Sequence, residues 1–273
     1  MRIALCLTGL LGGLNGKSGE GKIIDPRNGL FWYKKNIIEG NNVDLFFHTW
    51  NDGGYDLVKL FNPKSHVIED QIDFSHINFN FYGAKSYEDL FLKEESLNKD
   101  YDIDPDDIIS LKDSIFRAHS KWASTYNVVK QKKEFEKKHN FKYDYVIISR
   151  FDVALTKKIE FKKLQKNKLY ISARGINQGN LTTSFNDLVF LGDSSRIDLF
   201  ASIYNNLDRY SVDPTYSTYE HIIQNNINWE HYFDYNKDTF VLRWNQHLMK
   251  FYPQFYYFIK HNLREIKRRI LND

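Results

Sequence analysis

The stretch YDYVIIS, residues 143–149, is β-branched and aromatic, and it is apolar at successive positions rather than at alternate ones. A strand of that kind must be covered on both faces, which is the condition of a central strand in an α/β sheet flanked by helices. It delivers Arg150, Phe151 and Asp152 to a strand end. Further strands are expected over residues 2–7, 43–48, 65–68, 169–172 and 188–191. Helices are expected after Pro26 and over residues 108–139, 194–207 and 218–226, with another from Pro253 onwards. The polar, acidic stretch 82–107 lacks strong periodicity and reads as a mobile excursion from the core. This alternation predicts a Rossmann-like mixed sheet in a single compound domain, with ligands at the carboxyl ends of its strands.

The chain has 273 residues, 42% hydrophobic and 27% charged, enough to bury a core and unlike a disordered or coiled-coil composition. Cys6 is the only cysteine, so an intramolecular disulfide cannot form and a reducing, cytoplasmic setting is expected. The opening MRIALCLTGLLGG has one basic residue and no A-x-A pattern after it, and reads as a strand rather than a signal peptide. No run approaches the roughly 18 apolar residues of a membrane span. The net charge of +3, from 38 basic and 35 acidic residues, is too balanced to point to nucleic acid.

Two segments carry candidate chemistry. The loop GGLNGKS, residues 12–18, is similar to a phosphate cradle, but only three residues separate Gly12 from Gly16 where the motif needs four. Lys17 and the loop amides remain able to touch a diphosphate. The second segment, YDYVIISRFDVAL, places an isolated Arg-x-Asp after a buried strand. Asp152 can ligate Mg²⁺ or Mn²⁺ bridging a diphosphate while Arg150 adds positive charge, or the two can form an ion pair that finishes the strand.

The string YDYVIISRFDVAL resembles the "YD-x-V-I-x-x-R-x-D" signature of small bacterial glycosyltransferases of the GT-A fold, in which Arg-x-Asp stands where Asp-x-Asp is usual. MRIALCLTG resembles their first strand and glycine turn, and VDLFFHTW, residues 43–50, their second strand. Residues 118–144 are like their Ser-rich helix, FNDLVFLGDSSRIDLF, residues 185–200, like their Asn-Asp segment, and TYEHIIQNNI, residues 218–227, like their late Glu-bearing helix. The departure is at Leu10, Leu11 and Gly12, where the family often carries an arginine. Order and approximate spacing agree across most of residues 1–245.

The resemblance implies a sugar transferase of capsule or lipooligosaccharide synthesis. Its donor is a nucleotide-diphospho-sugar and its acceptor a glycan or lipid-linked glycan. It implies a nucleotide-sugar half over residues 1–152 and an acceptor half over 153–250. Thr8, Gly9, His48, Trp50, Ser120, Ser124, Arg150 and Asp152 are then the donor-binding residues, with Asp152 and His247 as ligands of Mn²⁺ or Mg²⁺; His48 and Trp50 read equally as a satisfied core histidine and a core aromatic. An inverting displacement needs a carboxylate to deprotonate the acceptor, and Asp187 and Glu220 are the candidates, Glu220 at the start of a helix. Residues 251–273 set aromatics beside Lys260, Arg264, Lys267, Arg268 and Arg269. That tail either lies peripherally on an anionic membrane surface or closes the domain as an amphipathic helix. Two other functions stay open: a P-loop-like phosphoryl or sulfuryl transferase using residues 12–18, and a non-catalytic carbohydrate-binding protein whose Tyr and Trp stack on sugars.

Overall fold

The structure, a computed structural model, describes residues 1–9, 25–51, 56–96, 102–173, 185–235 and 237–242. The loop 12–18, His247 and the tail 251–273 therefore lie outside the described residues. The fold is α/β. A seven-stranded mixed sheet runs in the order β3 (Ser65–Glu69), β2 (Asn42–Trp50), β1 (Arg2–Thr8), β4 (Tyr145–Arg150), β7 (Phe185–Gly192), β6 (Leu169–Ala173) and β8 (Trp229–Asp234). Strands β3, β2, β1 and β4 are parallel, and β6 is parallel to β8. Strand β7 runs antiparallel to both its neighbours. A separate antiparallel pair joins β5 (Val153–Leu155) to β9 (Thr239–Val241).

The central strands are buried on both faces, as their uninterrupted apolar runs require. Ile3, Leu5, Leu7, Tyr145 and Ile147 pack on one face with Leu30 and Tyr33 of α1 (Pro26–Tyr33) and Leu57 and Phe61 of α2 (Leu57–Phe61). Ala4, Cys6, Val146 and Ile148 pack on the other with Trp122 and Val128 of α4 (Pro105–His139). Burial pushes the Cys6 thiol up to about 12, which makes it a core residue and not a nucleophile.

Helix α4 starts three residues before the expected position because Asp104 and Asp107 form a reciprocal capping box ahead of Pro105. It stops at Asn140, which takes the left-handed conformation. The expected excursion is instead a packed satellite core over its described part. Tyr82 and Leu90, the latter on α3 (Tyr87–Glu94), close against Leu111 and Ile115 of α4. Two boundaries also move. Strand β7 begins at Phe185, so Asp187 lies inside it, and α6 (Pro214–Gln224) begins at Pro214 behind an Asp213 cap, so Glu220 is in its second turn and not at its start. Strands β5, β8 and β9 escaped the sequence reading: two have three residues, and β8, WEHYFD, is an edge strand with a largely half-exposed surface.

One close approach locks α1 to the site. A methyl group at Gly29 would overlap the carbonyl oxygen of Phe151, between Arg150 and Asp152. Gly29→Ala is expected to destabilise the fold by about 1–3 kcal/mol through overpacking. A lower denaturant midpoint at unchanged slope checks this, and a wild-type midpoint refutes it.

Candidate active site

The carboxyl ends of β1, β2 and β4 open on one edge of the sheet, and β7 reaches the same edge with its beginning because it runs the other way. A cavity of about 260 Å³ opens there, with Thr8, Gly9, Trp50, Ser149, Arg150 and Asp187 in its wall. Helix α4 supplies the opposite wall with Ser114, Arg117, Ser120, Lys121, Ser124 and Thr125. Gly9 follows β1 with φ +98°, a turn conformation that side chains disfavour.

A hydrogen-bond chain fixes that turn. The Gly9 amide donates to Ser124 Oγ at 3.3 Å, and Thr49 Oγ1 donates to the Gly9 carbonyl at 2.8 Å. His48 is fully buried, stacks edge-on against Trp50, and bridges Ser124 and Glu69 through its two ring nitrogens at 2.9 and 2.8 Å. Burial lowers the imidazole's basicity, opposed by Glu69, so a neutral ring donates from Nε2 to Glu69 and accepts the Ser124 hydroxyl at Nδ1. His48 thus stands behind the wall and orients Ser124, while Trp50 and Ser124 are in the wall itself. Ser120 also lines the cavity and donates to Gln71 Oε1 at 3.1 Å.

The Arg-x-Asp pair folds onto itself. Arg150 donates from Nε to Asp152 Oδ1 at 2.8 Å and from Nη2 to Oδ2, a two-pronged pair. The Asp152 side chain is 1% exposed and the Arg150 side chain 21%. Burial works against the guanidinium charge, but the Asp152 carboxylate more than restores it and leaves Arg150 a stronger base than usual. Tyr33 of α1 donates its hydroxyl to the Arg150 carbonyl at 2.5 Å and secures the strand end.

These contacts decide how a divalent cation would fit. Asp152 is enclosed with both oxygens on a guanidinium, and a dication there would displace the pair and face Arg150 at short range. Among the described residues no cluster of three or more His, Cys, Asp or Glu side chains is set to hold a metal. Asp152 is the described member of the ligand pair that the resemblance implies, and His247 lies outside the described residues.

Asp187 takes a different position. Lys121 donates from Nζ to its carboxylate and to its main-chain oxygen, the latter at 2.8 Å. Burial lowers the Lys121 basicity while Asp187 counters it. Asp187 also lines the cavity. Glu220 does not join this set: it accepts the Ser211 amide at 2.7 Å and lies outside the cavity wall. Burial raises its carboxyl above the usual range.

Arg117, Lys121 and Asp213 were not singled out in the sequence. Asp213 caps α6 by accepting the Thr215 amide at 2.7 Å, a role its position before Pro214 foretells. For the other two a signal existed: Ser114, Arg117, Lys121 and Ser124 recur at steps of three and four, a polar stripe along one face of an otherwise amphipathic helix.

The chain matches no protein-family model and no curated protein sequence.

Proposed function

We propose that this protein is a GT-A-type glycosyltransferase. It moves a sugar from a nucleotide-diphospho-sugar to a glycan or lipid-linked glycan acceptor of a bacterial surface polysaccharide, a capsule or lipooligosaccharide. The supporting observation is the cavity at the carboxyl edge, where Arg150 and Asp187 from the sheet and Lys121 from α4, which bonds to Asp187, meet beside the Gly9 turn. Such a site suits displacement at an anomeric carbon. The cations take the charge that grows on the leaving diphosphate, and Asp187 takes the proton from the attacking hydroxyl. Gly9 and Thr8 let the nucleotide approach the backbone, and the buried Trp50 backs the wall beside them. Work on a lipid-linked acceptor agrees with a cytoplasmic protein resting at the inner face of the membrane; among the described residues no helix is long and apolar enough to cross it.

A thermal-shift screen of UDP-, GDP- and CDP-sugars and ATP tests this reading. One nucleotide sugar is expected to raise the melting temperature, by a stabilisation of about 2.7 kcal/mol at a hundred times its dissociation constant. Stabilisation by ATP alone would turn attention to the loop 12–18 and a phosphoryl transferase. Stabilisation by no nucleotide would sink the transferase reading.

A further inference from the structure

We propose that the diphosphate of the donor is clamped by side-chain cations, Arg150 with Lys121 and Arg117, and that its binding requires no divalent metal. This rests on the nucleotide-sugar reading above.

The geometry of the Arg-x-Asp pair carries the inference. A metal-binding carboxylate must offer an oxygen to the cavity, yet Asp152 is the enclosed member of the pair and does not line the cavity, whereas Arg150 does. The surface that the pair turns toward a ligand is therefore its cationic half. Asp152 takes a donor from Nε and another from Nη2, and a guanidinium has five N–H donors in one plane. Asp152 then acts as a positioning residue that fixes the orientation of the fork, which favours two-pronged contact with phosphate oxygens.

Two more cations reach the same cavity from α4. Arg117 and Lys121 are four residues apart and share a helix face. Arg117 donates from Nη2 to Ser114 Oγ at 3.0 Å, which holds it along that face. Lys121 is 15% exposed and already spans from α4 to β7 through Asp187, so its ammonium is fixed beside the sheet edge. Three cations from two elements, Arg150, Lys121 and Arg117, line a small cavity together with Asp187, which is paired with Lys121, Asp213, which caps α6, several hydroxyls and the Gly9 turn, so positive charge is in excess there. They offer fixed positive charge to a leaving diphosphate, the service a bridging dication otherwise supplies.

Isothermal titration of UDP, GDP and CDP in turn, in EDTA and in Mn²⁺, separates the possibilities. The full chain is used as wild type, Lys121→Gln, Lys121→Arg and Arg117→Gln, with circular dichroism and melting curves as the check on folding. One nucleoside diphosphate is expected to bind in EDTA as tightly as in Mn²⁺, and more weakly as salt is raised. Loss of the Lys121 charge is expected to weaken it about ten- to a hundredfold, with Lys121→Arg restoring much of the loss. Arg117→Gln reads the same clamp should Lys121→Gln fail to fold. Binding that appears only with Mn²⁺ overturns the metal-free clamp and leaves the nucleotide-sugar reading standing. Wild-type affinity in a folded Lys121→Gln or Arg117→Gln variant overturns that residue's part in the clamp. Failure of every nucleotide in both buffers overturns the clamp and the function together.

Discussion

Asp187→Asn is expected to cut the rate of sugar transfer by about 10²–10⁴-fold, the usual contribution of a positioned general base. Asparagine keeps the shape of aspartate and still offers an oxygen to Lys121, but it lacks the basic carboxylate that takes the acceptor's proton. The fall should therefore lie in kcat, with the donor's KM little changed and nucleotide binding intact. Glu220→Gln is the matched control: that carboxylate holds the Ser211 amide outside the cavity, and its loss should leave the rate near wild type. The measurement is steady-state transfer by both variants from the donor found in the nucleotide screen. Wild-type kcat in Asp187→Asn, or an equal loss in Glu220→Gln, would remove Asp187 from the role of base.

The largest effect on stability is expected at Lys132, on the face of α4 that meets α5 (Ser194–Ala201). This ammonium is fully buried and donates to Glu136 Oε2 at 3.2 Å, Ser194 Oγ at 2.7 Å and Asp198 Oδ1 at 2.6 Å. Glu136 is nearly as enclosed, and it also accepts from Ser194 Oγ, from Lys142 and from the Tyr143 amide. Lys132→Met keeps much of the packing but strips a charge from that cluster. Leaving buried carboxylates short of a partner costs about 3–5 kcal/mol. The expected reading is a lower denaturant midpoint at unchanged slope, and a change below about 1 kcal/mol would mean water reaches the cluster.

The same cluster sets a pH dependence. Burial alone would raise the Glu136 carboxyl, but the Ser194 hydroxyl, the Tyr143 amide and the Lys132 charge outweigh it and hold it below the usual range. A carboxyl lowered on folding stabilises the protein above its unfolded value, about 4.3 for glutamate. That contribution disappears as the pH falls through the folded value. Denaturation titrations from pH 7 downward should show stability lost in this acid window, and less of it in Lys132→Met.

Much of the frame was legible from local pattern. The runs at residues 3–7, 45–47 and 145–148 are apolar at consecutive positions, and strands covered on both faces need that composition wherever they occur. The long helix was legible because its apolar positions recur at three and four. Gly9 at the end of the first strand and Arg150 after the signature strand were readable as edge residues for the same reason. Both line the cavity.

The remaining features depend on residues far apart in sequence. Nothing local tells β7 to run against its neighbours, yet that direction brings Asp187, near the beginning of its strand, to the edge where β4 ends. Tertiary packing likewise decided that Asp152 is the enclosed partner of Arg150 and not an open ligand, and that His48 stands behind Ser124 instead of in the cavity. It also turned Glu220 away from the cavity and brought Lys121 across to the sheet. Periodicity encodes which face of an element seeks the core, because burial of apolar surface acts residue by residue. The pairing of charges and the direction of a strand are settled only when separate elements meet, since each depends on what the other element offers.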